Sequence, residues 1–387
     1  MHTNPTLINP TINVALKPPL GYVRPVLFGI SSCTSIFFIA AYVHDKEEES
    51  IWRKFKERTT TDLHRLRDVI TDESLLKHDI WKEKMRLWIQ RKSELMQRLR
   101  HHLDQYQALP THIKKSILGS AQLLLDVTEE EKVLLGITAI HLLVFGVWRI
   151  PRYQKFMQQY FVHSGDRTIT LLTSVFSQRR LWHMSVNMAA LWLVGPWLYN
   201  KLGREQFIAT YLSLGISANV VSHVTRVAMA RRWRHNVEAA KLATLGTDSA
   251  LYGLLAGTTI IYPEATLIIP FLPTALSTLN LSYTLPAFLS MDAVALFFRW
   301  NRMDHIAHIG GTMMGIVYAK FGPDHLWPQA LKTVRDVKAS IHGRGSGNDK
   351  NGGGRPPGAL MLILPEKLRL KLQKKATPAA PEGGGET

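Results

Sequence analysis

Uncharged apolar runs close to bilayer length, separated by blocks of dense charge, limit this chain more than any other feature. From Pro25 to Val43 the run PVLFGISSCTSIFFIAAYV carries no charge and approaches the ~20 residues that a helix needs to cross hydrocarbon. Six more apolar segments follow, at about 133–148, 182–199, 206–224, 246–262, 284–299 and 304–320. A chain that keeps its 46% hydrophobic and 20% charged residues this far apart places them in different solvents. The expected fold class is therefore all-α and polytopic: one N-terminal transmembrane helix at 25–43, then a six-helix bundle within 131–322. Several spans are short and hold Gly and polar residues, so they should pack on each other around something polar rather than face lipid all round. The segment 263–283, PEATLIIPFLPTALSTLNLSY, is apolar but broken by prolines, and reads as a loop at the membrane surface.

The charge balance narrows the partners. Lys and Arg number 47 against 30 Asp and Glu, a net charge of +17, which suits either nucleic acid or an anionic lipid surface. No nucleic-acid motif is present, so the lipid surface is expected. Residues 44–130 form a charged helical region in which Trp81, Met85, Trp88, Leu95 and Leu99 share one face, ringed by Lys82, Lys84, Arg86, Arg91 and Lys92. Such a helix can lie on an anionic membrane or pack on a soluble subdomain. The single cysteine, Cys33, excludes a disulfide framework and a cysteine metal centre. Residues 1–24, with Lys17 and Arg24 and no acid, suit a targeting leader or a plain N-terminal segment. Residues 323–387 are basic and rich in Gly and Pro, and most of that tail is expected to be disordered. Arg226, Arg231, Arg232 and Arg234 are expected in one loop between helices.

Ionisable and strongly polar residues are costly inside a membrane and are functional candidates for that reason. The spans hold His183, Asn187, Asp248, Asp292, Asp304, His305 and His308. In WHMSVNM, His183 and Asn187 stand i, i+4 on one helix face and can aim two donors at one spot, or else join helices by hydrogen bonds. Downstream of His308, Gly311 and Gly315 make a small-residue stripe that admits a close neighbour. The span after Gly246, with its own stripe through Ser249, Gly253 and Ala256, is the natural one. Asp248 and Tyr252 share the adjoining face.

These motifs resemble the rhomboid family. TSVFSQRRLWHMSVNM is similar to its second core helix with the HxxxN pattern, GTDSALYGLLAG to the fourth, and MDHIAHIGGTMMG to the sixth with AHxxG. VWRIPRYQ, LGREQFIATYLS and SMDAVALFFRW look like the mitochondrial presenilin-associated branch, whose one-plus-six layout accommodates the helix at 25–43. The resemblance runs from about 130 to 320. It implies an integral protein of the mitochondrial inner membrane, acting on transmembrane protein substrates or clients. It also implies a Ser-His dyad with His308 as general base, His183 and Asn187 on the oxyanion, and Tyr252, Gly311 and Gly315 packing the site. No cofactor or metal is implied, although Asp248, His183 and His308 are metal-ligating residue types.

One departure bears on activity. The family pattern GxSG has serine two places after the first glycine, where this chain reads Gly246, Thr247, Asp248, Ser249. A gapless match puts Asp248 at the nucleophile position, and one helical residue turns a side chain by about 100°. Two readings follow. Either Ser249 is the nucleophile of an intramembrane serine endopeptidase through local unwinding of the helix start, or Asp248 pairs with His308 in a pseudoprotease that binds or escorts clients. Family weight favours the endopeptidase; helix geometry favours the pseudoprotease.

Overall fold

A computed structural model describes residues 21–59, 73–163, 167–232, 247–268, 278–298 and 304–344. The expected leader and the tail beyond 344 lie outside the described residues, apart from the start of the first helix. The described chain is all-α apart from one short ribbon, and it is a polytopic membrane fold: a core of six longer helices with one additional N-terminal helix. The described residues divide into two compact units, one made of those within 1–48 and 96–337 and the other of those within 49–95 and 338–344. All of the core and the candidate site belong to the first.

The first helix, α1 (Val23–Thr59), contains the expected 25–43 run and continues well past it. Leu27, Ile30 and Ile39 on its surface are exposed, an arrangement stable against lipid tails rather than water. Helices α2 (Glu73–Gln105) and α3 (Thr111–Asp126) occupy most of the charged region. On α2, Met85 and Leu95 of the expected apolar face are exposed, and Arg86 pairs with Glu83 at 2.6 Å.

The core begins with α4 (Glu129–Trp148), whose start is written in its sequence. Thr128 and Glu131 form a reciprocal capping box, and three glutamates sit in the first turn against the positive end of the helix dipole. Short helices α5 (Gln154–Tyr160) and α6 (Thr170–Thr173) lead to α7 (Leu181–Leu202). Gly203, at φ 77°, ends α7 in a conformation that L side chains avoid, and α8 (Arg204–Arg232) starts at the next residue. The remaining core helices are α9 (Thr247–Ile261), α10 (Leu281–Phe297) and α11 (His305–Phe321).

Among the described residues three helices are both long and apolar enough to cross a membrane: α1, α4 and α8. The remaining core helices are shorter or more polar. Leu134, Leu191, Leu198, Phe207, Tyr211, Leu214 and Leu254 join α4, α7, α8 and α9 in one apolar core. The most extensive pairing is between α9 and α11. It is a backbone-on-backbone crossing: a Cβ added at Gly311 would overlap the Ser249 carbonyl oxygen, and one at Gly315 the Gly253 carbonyl oxygen.

Three expectations need correction. The proline-broken segment is not simply a loop: Thr266–Ile268 (β1) pairs antiparallel with Thr278–Asn280 (β2), leading directly into α10, which Asn280 caps. Strand formation satisfies backbone groups that a loop at the membrane surface would leave to headgroups. The tail does not begin at 323, because α12 (Trp327–Arg344) follows α11 after a single π-helical turn. Trp327, Ala330 and Val334 pack with Ala41 of α1, while Arg335 pairs with Asp45 at 2.7 Å and Glu48 at 2.9 Å. Arg226 is not in a loop either; it lies on α8, which runs to Arg232, and is buried.

Candidate functional site

The residues that sequence reasoning singled out converge where α7, α9, α10 and α11 meet. Thr247 fixes the register of α9 by donating its hydroxyl to the Val175 carbonyl at 2.6 Å. The chain is helical from Thr247 onward, so the local unwinding that would swing Ser249 round is not found there. Asp248 consequently stands in the first turn, where the helix N-terminus favours a carboxylate. Asp304 caps α11 by accepting the Ala307 amide at 3.1 Å, which places His305 and His308 one turn apart on the same side of the helix.

His308 is almost completely buried and both of its ring nitrogens meet carboxylates. Nε2 lies 3.0 Å from Asp248 Oδ2, and Nδ1 lies 3.0 Å from Asp292 Oδ1. Each ring nitrogen thus has a carboxylate oxygen within hydrogen-bond distance. Tyr252 stacks on the ring, centroids 4.2 Å apart and planes 13° off parallel, and fixes its plane. On the far side of Asp248, His183 Nε2 stands 3.4 Å from the same Oδ2. On the far side of Asp292, His305 Nδ1 is 2.6 Å from Oδ1. The five side chains thus form an alternating row, His183, Asp248, His308, Asp292, His305, contributed by four helices.

Asn187 is buried one turn beyond His183, and its Nδ2 donates to no group among the described residues. Ser249 is completely buried, with its carbonyl oxygen facing Gly311. The group at His308 Nε2 is therefore Asp248, the residue standing at the family's nucleophile position.

Sequence reasoning noted Asp292 and His305 as polar residues within spans but did not attach them to the site. The His305-x-x-His308 spacing was a usable signal, since i, i+3 residues share a helix face. Nothing local indicated that Asp292 of α10 would reach α11. A second buried cluster was missed more fully. His163 Nε2 lies 3.0 Å from His223 Nδ1, and His163 Nδ1 lies 2.8 Å from the Thr170 hydroxyl. Arg226 pairs with Asp304 at 2.6 Å, and the Ser222 hydroxyl donates to the same carboxylate oxygen at 2.7 Å. His163 lies in the connection between α5 and α6, where burial, with His223 and Arg226 nearby, holds its imidazole far below the ordinary value, at about 3. Of these residues the sequence marks only Asp304 as a polar group inside a span, and it suggests a loop for Arg226.

Residues 165–323 match the family model for the rhomboid domain. The chain is 33% identical over 229 residues to the human presenilin-associated rhomboid-like protein, mitochondrial, covering 58% of each chain. The Danio rerio presenilin-associated rhomboid-like protein A, mitochondrial, is 33% identical over 203 residues, covering 52% of this chain and 50% of that one. Rhomboid protein 1, mitochondrial, of Saccharomyces cerevisiae is 29% identical over 201 residues, covering 49% and 53%. The chain therefore spans little more than half the length of the curated relatives it matches.

Proposed function

Since this chain belongs to the rhomboid family, with its rhomboid domain at residues 165–323, we propose that it is a proteolytically silent rhomboid of a mitochondrial membrane that binds or escorts membrane-protein clients. The observation that carries the reading is the pair of carboxylates on His308. A serine dyad requires an unprotonated imidazole nitrogen facing the hydroxyl. Here Asp248 takes Nε2 and Asp292 takes Nδ1, both at 3.0 Å. For Ser249 to act as nucleophile, Asp248 would have to leave the ring and the helix start would have to turn by about 100°.

The retained polar groups suit client binding. His183 and the unpartnered Asn187 amide would offer donors to a backbone carbonyl of a transmembrane segment, which in lipid has few alternative partners. In a protease the same donors would face the oxyanion, where such donors contribute about 3–4 kcal/mol. Asn187 is thus the observation that keeps the cleavage reading in play. Residence in the inner mitochondrial membrane is proposed from the resemblance and from the names of the relatives.

A cleavage assay separates the two. Purified protein in proteoliposomes is incubated with a generic rhomboid substrate, beside Ser249→Ala and His308→Ala, and a fluorophosphonate probe is applied in parallel. Wild type is expected to leave the substrate intact and the probe unreacted. Cleavage by wild type that disappears in Ser249→Ala would replace the silent reading with the protease one.

A further inference from the structure

We propose that Asp292, His305 and His308 form a binding site for a divalent transition metal of the zinc class, supported by Asp248. The three residues come from facing helices, α10 and α11, and are all buried, and their ligand atoms lie within 4.8 Å of one another. His305 Nδ1 and His308 Nδ1 both converge on Asp292 Oδ1, at 2.6 and 3.0 Å. Imidazole nitrogen and carboxylate oxygen are the donors that zinc takes when sulfur is absent.

A separate observation points to a ligand. Asp292 is completely buried, and its second oxygen, Oδ2, has no donor at full hydrogen-bond distance among the described residues, with the Tyr252 hydroxyl interacting with the same carboxylate. A carboxylate has about four acceptor sites, and an oxygen short of donors in the interior carries a desolvation cost that its contacts among the described residues offset only in part. A cation bound by both carboxylate oxygens and the two imidazoles would satisfy it. Zinc–nitrogen bonds of about 2.0–2.1 Å place tetrahedral ligands roughly 3.3 Å apart, so the His308 contact would open by about 0.3 Å and the His305 contact by about 0.7 Å. Metal binding replaces the protons on His305 Nδ1 and His308 Nδ1, which pass to solvent.

The surroundings match what a ligand histidine requires. With Nδ1 on the metal, His308 keeps its Nε2 proton and donates it to Asp248 Oδ2, 3.0 Å away. A carboxylate in that place fixes the tautomer and ring orientation and raises ligand basicity. Tyr252 stacked on the ring fixes its plane. Aspartate at position 248, unsuited to nucleophilic attack, is well suited to this. His305 stands in the first turn of α11, so the cluster lies toward one end of the span.

The test measures metal directly and does not pass through cleavage, so it stands apart from the fate of the silent-rhomboid reading. Tag-free protein in detergent, stripped with a chelator, is titrated with zinc chloride against a chromophoric competitor at neutral pH. One equivalent per chain is expected, with a zinc-dependent rise in melting temperature. His305→Asn should weaken binding at least tenfold and remove the thermal shift. Asp248→Asn should keep one equivalent but bind about 10–100-fold more weakly. His163→Asn, in the other histidine cluster, should bind as wild type. The zinc X-ray absorption edge of the wild-type complex should show nitrogen and oxygen neighbours only. Absence of saturable zinc binding in wild type, unchanged affinity in a folded His305→Asn, or a sulfur neighbour would each overturn the proposal.

Discussion

The imidazole of His308 lies 3.0 Å from the carboxylate of Asp248, at the position where the rhomboid pattern GxSG carries its serine. The two residues are 60 positions apart and meet because α9 and α11 cross with their backbones in contact. A pair so placed contributes little over a well-packed apolar one, but removing one partner leaves the other charge buried.

Asp248→Asn is therefore expected to destabilise the fold. Breaking a buried pair costs about 3–5 kcal/mol, and the low end applies because Asp292 still faces the ring. Thermal unfolding in detergent measures it. An unchanged melting temperature would mean the pair is not charged.

The double change Asp248→Ser with Ser249→Gly restores GTSG at 246–249. If His308 then faces a serine hydroxyl, with Asp292 still on Nδ1, the revertant should cleave a generic rhomboid substrate while wild type does not. Cleavage assays in proteoliposomes with His308→Ala in the revertant background check this. A revertant as inert as wild type would show that more than position 248 has been lost.

Gly311→Val and Gly315→Val are each expected to abolish stable folding, because the added side chain overlaps a backbone carbonyl oxygen of α9 that cannot move alone. Gly136→Ala, where an added Cβ meets nothing within 4 Å, should be neutral or slightly stabilising. Size-exclusion profile and melting temperature read both. A folded Gly311→Val would mean that α9 and α11 do not touch there.

Arg226→Met is expected to cost about 3–5 kcal/mol, since it leaves Asp304 buried without its guanidinium partner. The Asp304 cap on α11 survives the change, so the loss should appear as lower melting temperature with helix content retained. A neutral result would assign the Arg226 contact to the surface.

Stability should fall with acid below neutral pH through His163. Its imidazole is held down to about 3 in the fold by burial and by the neighbouring His223 and Arg226, against an ordinary 6.5. The unfolded chain therefore binds the extra proton first. The contribution is complete above about pH 6.5 and is lost as pH falls toward the folded value, at no more than about 1.4 kcal/mol per pH unit. Melting temperatures of wild type and His163→Asn from pH 7.5 to 5 test it. Parallel curves would remove His163 as the source.

The sequence by itself determined the polytopic class and the number of core helices, because a bilayer admits few backbone solutions and helix length is set by its thickness. Expected spans at 133–148, 182–199 and 304–320 coincide with α4, α7 and α11 to within a few residues. His183, Asn187, Asp248, Tyr252 and His308 were legible because polar residues in lipid are conspicuous and helix periodicity fixes their faces. The ribbon before α10, the helix after α11 and the placement of Arg226 were not, since prolines, glycines and arginines occur equally in loops and at helix ends. Only the tertiary structure decided that Asp292 reaches His308 and His305, because an aspartate on one helix carries no local mark of which neighbour it faces. That choice depends on how closely α10 and α11 approach and how each is rotated, and both are set by packing across the whole bundle.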